Sequence, residues 1–382
     1  MKIAFILDVF SIGGIETVAK NYITLLNKQG HEIDLYVLHK NETDMTEFLP
    51  SDVSFISLNF DRTICPELYS YGVMNWWWGK YAYALIHPIL TLGLKIRKFF
   101  TSKKSYDVAI AFSGHINDLT FLTEGFVKAK QKICWCHGTL LSYLAICDGY
   151  SKLYKKVDKI VTLSEQGLQN VYAGHKYLYD KKIANIYNPV FIKGEAIDEL
   201  HISELKEKYQ DYVLMIARVL PPKDHKTAID ALVELHTRGL KKHIVFLGDG
   251  EKIEELEKYA KDKKIFEWCH FEGNRRDVSD YIVASHINLL ASHYEGLPTV
   301  MIEAMAYGKP CIMTDCDGGE VTEHGKYGIL VPIEDDVSIA DALEKLFTDR
   351  DMYSKYSKLA NERYKDFEPE EIMKRFEFLL EE

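Results

Sequence analysis

Two consecutive series of short apolar runs, each run followed by a longer amphipathic one, limit what this chain can fold into. The first series opens with Lys2–Val9, a continuous apolar run, the pattern of a parallel strand buried on both faces. Gly14–Lys28 follows with Val18, Tyr22, Leu25 and Leu26 at helical spacing, and Gly30 ends it. Further strands are expected at Ile33–Leu38, Val53–Leu58, Val108–Phe112, Ile133–Cys136, Ile160–Leu163 and Ile183–Tyr187, where Asn188-Pro189 breaks the series. Phe191–Gln210 is more polar and reads as a linker and an entry helix. The second series predicts strands at Tyr212–Ala217, Ile244–Leu247, Ile265–Phe271, Ile287–Leu290, Pro310–Thr314 and Gly328–Val331. Its helices are expected at Thr227–Thr237, Lys252–Lys261, Val278–Ala284, Thr299–Ala306, Asp341–Phe347 and Glu370–Leu380. Such alternation gives parallel sheets covered by helices. The expected fold class is therefore α/β: two doubly wound domains, 1–190 and 191–365, facing a central cleft, with a closing helix in 366–382 that packs back toward the first domain.

Charge and cysteine usage narrow the function classes. The formal net charge is −10, which argues against general nucleic-acid binding, because a phosphate backbone is held mainly by basic residues. The seven cysteines include no Cys-x-x-Cys pair, and several lie in strand-like runs such as Ile133-Cys134-Trp135-Cys136. Buried, reduced thiols explain them better than a metal site, whose ligand spacing is missing. The apolar start, Lys2 to Leu7, is too short for a secretory signal and lacks a small-residue cleavage site. A cytoplasmic protein is expected.

Residues 66–104 interrupt the alternation. They hold Trp76-Trp77-Trp78, then the uncharged run Tyr81–Leu94, then Lys95, Arg97, Lys98, Lys103 and Lys104. The 14-residue uncharged run falls short of the roughly 20 apolar residues of a spanning helix. Two readings stand: an insert that lies shallowly in an anionic membrane surface, or an extra helical pair packed on the first domain.

Four motifs carry chemistry. Gly13-Gly14-Ile15-Glu16 follows the first strand and opens the first helix; glycine there lets a ligand approach the backbone, and a helix N-terminus favours an anion. A plain strand-to-helix turn explains it equally well. Arg218 and Lys223 sit at the exit of the second domain's first strand, where open α/β sheets bind ligands. Two cations there can clamp a diphosphate; solvated surface charges are the plain alternative. Gly248-Asp249-Gly250-Glu251 ends the next strand, as a ligand loop or a simple turn. The strongest signal is Glu295-Gly296-Leu297-Pro298 with Glu303 eight residues after Glu295. Pro298 suits the first helical position, and Gly296 and Leu297 present N–H groups at the helix entry. Glu303 stands in the apolar run Met301–Met305, where a carboxylate needs a hydrogen-bonding partner such as a sugar diol.

These residues together resemble glycosyltransferase family 4. The resemblance rests on Glu295-x7-Glu303 with Gly296-Leu297-Pro298, on Arg218 and Lys223, and on Gly248-Asp249-Gly250, and it runs from Gly13-Gly14-Ile15-Glu16 to Gly328–Pro332. It implies the GT-B fold, two Rossmann-like halves, and a retaining transfer of a sugar from a nucleotide-sugar donor, with UDP the expected nucleotide. It implies that Arg218 and Lys223 hold the donor diphosphate, that Glu295 binds hydroxyls of the moving sugar, and that Glu303 binds the ribose. Gly296, Leu297 and Thr299 would meet donor phosphate or sugar, and Gly273 and Asn274 the base. His137, in Cys136-His137-Gly138, matches a first-domain histidine beside the transferred sugar. Gly13 and Gly14 match a loop near the donor phosphate and the acceptor, and Asn188 an interdomain turn. The Gly-Gly-Pro-like run of the family is altered here to Asp317-Gly318-Gly319-Glu320.

No cofactor is expected, and the cations would stand in for a metal ion. The expected acceptor is a lipid-linked glycan, polyprenyl-diphosphate-borne, in capsule or related surface-polysaccharide synthesis, reached peripherally at the inner face of the plasma membrane. A GT-B sugar-nucleotide epimerase or phosphorylase, or a non-catalytic partner of another transferase, is the competing reading.

Overall fold

The computed structural model describes residues 1–381 apart from 12, 42, 102–103, 139, 164–177, 179–180 and 193–196. Lys103 of the basic cluster and part of the expected linker lie outside the described residues. The chain divides into two compact units, Met1–Pro189 with Ile372–Glu382, and Val190–Glu371.

The first unit is built on a seven-stranded sheet in the order β3-β2-β1-β4-β5-β6-β7. Its strands are β1 (Lys2–Leu7), β2 (Glu32–Val37), β3 (Ser54–Ser57), β4 (Ser105–Ala111), β5 (Lys128–Cys136), β6 (Lys159–Thr162) and β7 (Lys182–Asn185). Every pairing is parallel. The Gly14–Lys28 helix lays Val18, Ala19, Tyr22, Ile23 and Leu26 on the sheet. Its Tyr22 ring meets Trp135 at 4.8 Å and Phe376 at 5.6 Å. Phe376 belongs to the closing helix Pro369–Glu381, whose Ile372, Phe376 and Leu379 are buried. Each such side chain contributes about 1.5–3 kcal/mol by leaving water, so the last residues of the chain are part of the first unit's core.

The second unit has a six-stranded parallel sheet, order β10-β9-β8-β11-β12-β13. The strands are β8 (Tyr212–Ile216), β9 (His243–Leu247), β10 (Cys269–Phe271), β11 (Ile287–Leu290), β12 (Cys311–Thr314) and β13 (Ile329–Val331). In both sheets the winding reverses beside the first strand: between β1 and β4, and between β8 and β11. Loops leave such a switch point in opposite directions and open a crevice at the carboxyl ends of the strands.

Four expectations need correction. Ile265–Phe271 is not one strand: Phe266–Trp268 forms a 3-10 turn and only Cys269–Phe271 pairs. Asp341–Phe347 is the second half of a longer helix, Asp336–Thr348, which Asp335 caps by accepting from the Ser338 N–H at 2.9 Å. A helix at Arg350–Tyr364 follows that no apolar stripe announced. Pro298 is the extended capping residue of the Thr299–Ala306 helix and not its first helical residue. All seven cysteines are free thiols and six are buried.

Candidate active site

The second switch point gathers the charged motifs. Arg218 leaves β8 exposed to solvent and has no ion-pair partner among the described residues. Pro221–Lys223 then makes a 3-10 turn. Asp224 follows in the left-handed region at φ 48° and caps the His225–Thr237 helix, accepting from the Thr227 N–H. The loop after β11 is fastened to this turn, because the His293 N–H donates to the Pro222 carbonyl at 2.8 Å and its ring meets the Asp224 carboxylate at 3.1 Å. That fastening brings Lys223 Nζ within 2.5 Å of Glu295 Oε1. Ser292 Oγ donates to the same oxygen at 2.6 Å. Both bonds fall on Oε1, so Oε2 stays open to a ligand.

Glu295 leads into the Thr299–Ala306 helix, whose entry has no side-chain cap. Free N–H groups and the positive end of the helix dipole therefore remain there. Met301, Ile302, Ala304 and Met305 are buried, which fixes the helix axis, while Glu303 is half-buried within it. Gly273 has φ +66° and open space where a side chain would stand. Asn274 beside it is exposed. Gly248 has a different reason to be glycine. A Cβ there would lie 2.1 Å from the Ala217 carbonyl oxygen, and one at Gly250 2.2 Å from that of Val219. These glycines let the β9 loop lie against the backbone that carries Arg218.

In the first unit, Gly13 is extended (φ −167°) and caps the Gly14–Lys28 helix, its carbonyl accepting from Thr17 N–H at 3.0 Å. That backbone suits any residue, and a Cβ on Gly14 would meet nothing within 4 Å. His137 follows β5 and donates its Nε2–H to the Phe112 carbonyl at 2.8 Å. Burial pushes its imidazole down to about 4, so it is neutral and offers Nδ1 as an acceptor.

A polar cluster that the sequence did not announce lies at the first switch point. Asp8 follows β1 and His115 follows β4, and Asp8 Oδ2 meets His115 Nδ1 at 2.8 Å. The Asp8 N–H donates to Ser113 Oγ at 3.0 Å. Asp118, fully buried, accepts from the Gly114 and Leu119 N–H groups at 2.8 and 2.9 Å. Burial, reinforced by the Asp8 charge, pushes the Asp118 carboxyl up to about 8. Burial would lower the His115 imidazole, but the Asp8 hydrogen bond and the charges of Asp118 and Asp8 outweigh it and raise it above its ordinary value. The only signal in the sequence was two polar residues at strand exits, 107 positions apart.

Among the described residues one trio has metal-like spacing, His201 with Asp277 and Asp280. Its members pair with one another and with an arginine: His201 Nδ1 meets Asp280 Oδ2 at 3.0 Å and Asp277 Oδ2 at 3.3 Å, and Asp277 Oδ2 accepts from Arg275 at 2.7 Å. Asp315-Cys316-Asp317 follows β12 with the spacing of an acidic metal pair, so the expectation of metal independence rests on the cations at the β8–β11 crevice.

Residues 196–363 match the family model "Glycosyl transferases group 1". An uncharacterized glycosyltransferase of Haemophilus influenzae is 26% identical over 397 residues, covering 98% of each chain. A Campylobacter jejuni N-acetylgalactosaminyltransferase, named for a diphospho-undecaprenol-linked acceptor, is 27% identical over 224 residues, 58% of this chain and 60% of its own. Among solved structures, HepE of Anabaena, crystallised with UDP, superposes over 100% of both chains with a TM-score of 0.74 at 17% identity. That likeness is one of fold, and it is the GT-B arrangement of two doubly wound sheets. Residues 196–363 thus match the group 1 glycosyl transferases, and the relatives that align along the chain are glycosyltransferases, in keeping with its resemblance to glycosyltransferase family 4.

Proposed function

We propose that this chain is a retaining, metal-independent transferase that moves a sugar from a UDP-sugar onto a lipid-linked glycan during synthesis of bacterial surface polysaccharide. The observation that carries the reading is the β8–β11 crevice. There Arg218 leaves β8 with no ion-pair partner among the described residues, Lys223 pairs with Glu295, and the Thr299–Ala306 helix begins without a side-chain cap. Without ligand, Lys223 and Glu295 satisfy one another. A bound diphosphate competes for Lys223, and the released Glu295 carboxylate turns to hydroxyls of the sugar. Gly273 and Asn274 border the base, and Glu303 takes the ribose.

In the transfer, the bond between the anomeric carbon and the diphosphate oxygen breaks. The acceptor oxygen bonds to the same face of that carbon, and its proton passes to the leaving phosphate. Arg218, Lys223 and the helix N–H groups stabilise the charge that grows on the phosphate, the kind of pre-aimed electrostatics that dominates such reactions. Glu295 is tied to Lys223 and Ser292, which suits a hydroxyl anchor better than a nucleophile. The Campylobacter relative's named acceptor supports a lipid-linked substrate here. No helix among the described residues is long and apolar enough to cross a membrane, and we place the protein in the cytoplasm, peripheral to the inner face of the plasma membrane.

The test is a thermal-shift and donor-hydrolysis screen of UDP-, GDP- and ADP-sugars in the presence of chelator. A UDP-sugar should stabilise the protein and be turned over, and Arg218→Ala should remove both effects. A protein inert in chelator and revived by manganese would overturn the metal-free mechanism.

A further inference from the structure

The helix Gly79–Phe99 is amphipathic the wrong way round for water. Its polar side chains face the protein. Tyr83 donates to Glu67 Oε2 at 2.7 Å, His87 meets Glu67 Oε1 at 3.2 Å, and Lys152 donates to the Tyr83 hydroxyl at 2.7 Å. Glu67 itself is buried. Burial acts to raise its carboxyl, but the Tyr83 hydrogen bond, the Lys152 charge and the His87 contact keep it below the usual range. The opposite face carries Tyr81, Leu85, Ile89, Leu92 and Ile96 at helical spacing, with Leu85 70%, Ile89 69% and Leu92 60% exposed. Between Lys80 and Lys95 no exposed side chain of this helix is polar beyond the Tyr81 hydroxyl. Soluble helices turn their apolar stripe to the core, and exposed apolar patches of this extent mark a contact surface.

We infer that this face lies in the plane of an anionic lipid bilayer, with the helix axis along the surface. Three observations choose that occupant. Aromatic residues stand at both ends of the stripe: Trp76, Trp77 and Trp78 before it, with Trp77 87% exposed, and Phe99 and Phe100 at its close. Such residues settle at the level of lipid headgroups. Next, no Asp or Glu occurs between Glu67 and Asp107 in a chain whose net charge is −10. Finally, the cations that edge the stripe are not neutralised. Among the described residues, Lys80 and Lys95 are exposed without acidic partners, Arg97 donates to the Asn59 carbonyl and Lys98 to that of Glu124, while Lys104 is paired with Asp34. Lipid phosphates would neutralise this rim. A second copy of the chain seated on the same face would set like charges against one another, since a two-fold contact joins identical patches. The apolar stripe supplies the depth of insertion, and the basic rim supplies the preference for anionic headgroups.

The inference rests on the proposed function only in that a lipid-borne acceptor gives the contact a purpose, and its test needs no transfer. The full chain is sedimented with vesicles of phosphatidylethanolamine and phosphatidylglycerol, and in parallel with phosphatidylcholine alone. Wild type should partition to the anionic vesicles. Removing one buried Leu or Ile from such a contact lowers partition about tenfold, so L85E/I89E/L92E should stay in solution. K80Q/K95Q should weaken binding to anionic vesicles by about thirtyfold and leave binding to phosphatidylcholine unchanged, each cation near the surface contributing somewhat less than an apolar side chain. The substituted side chains point away from the core, and the UDP-dependent thermal shift of each variant reports that the donor site is intact. A failed donor screen with vesicle binding intact would count against the proposed function alone. Wild type that ignores both vesicle types overturns the membrane surface. So does a wild-type dimer, dissolved by L85E/I89E/L92E, that binds no lipid.

Discussion

The two switch points share a topology and differ in chemistry. Beside β8 and β11 the crevice holds Arg218, Lys223 and an uncapped helix entry, and its carboxylate Glu295 is held by a lysine. Beside β1 and β4 the polar groups at the strand exits are Asp8, Ser113, His115 and the buried Asp118. Permanent cations suit a ligand with permanent negative charge. An imidazole set against two carboxyls responds to pH in the physiological range. On the proposed function, one fold used twice would separate a sheet that grips phosphate from one whose strand exits respond to protons. The difference lies in side chains at strand exits, since the strands themselves are alike.

The largest effect should come from breaking the cationic crevice. Lys223→Ala removes a donor aimed at growing charge and should lower turnover about 10²–10³-fold. It also leaves the half-buried Glu295 with Ser292 as its one remaining partner. The midpoint of urea unfolding should shift little by comparison, since the Glu295 carboxylate keeps its hydrogen bond from Ser292. Near-wild-type turnover in this variant would remove the phosphate role from the second switch point and with it the contrast between the two.

A smaller effect should follow from disturbing the floor of the same crevice. Gly248 stands at φ +135°, and a Cβ would press on the Ala217 carbonyl. Gly248→Ala should cost about 2–3 kcal/mol, from backbone strain and overpacking together. Donor affinity should fall with it, because the loop that moves carries Arg218. Loss of affinity without loss of stability would instead mean that Gly248 meets the donor itself, the role its motif implied.

Much of the fold was legible because strands buried on both faces read as unbroken apolar runs. Legibility failed where that rule fails. The Arg350–Tyr364 helix is mostly polar and has few buried residues, so no stripe marks it. Phe266 and Trp268 look like strand residues but sit in a 3-10 turn ahead of a three-residue strand. The Gly79–Phe99 helix showed its apolar content in the sequence but not its inversion. Periodicity tells which residues share a face, and cannot tell that Glu67 would draw Tyr83 and His87 inward. At the site, the cations and carboxylates were legible as motifs. Their mutual pairing was not, since Lys223 and Glu295 are 72 residues apart and meet only because His293 bonds to Pro222 and Asp224. The Asp8–His115 pair had no motif at all.

The finest comparison is in the response to pH. Asp118 has a folded value of about 8 against an ordinary carboxyl value of 3.8. Between those values the native chain holds a proton that the unfolded chain has released, so stability falls as pH rises across that window. The slope is at most about 1.4 kcal/mol per pH unit for one proton. His115, raised above 6.5, adds in the same direction, its contribution present below its ordinary value and lost as pH climbs through the folded one. Buried histidines such as His137, held down to about 4, act in the opposite direction, so the test is a difference between variants: in urea melts from pH 4 to 8, Asp118→Asn should lose a downward component of stability against pH that wild type carries, because asparagine fills the same space without a proton to lose. If Asp118→Asn keeps the wild-type slope, the proton resides elsewhere, and the first switch point loses the property that sets it apart from the second.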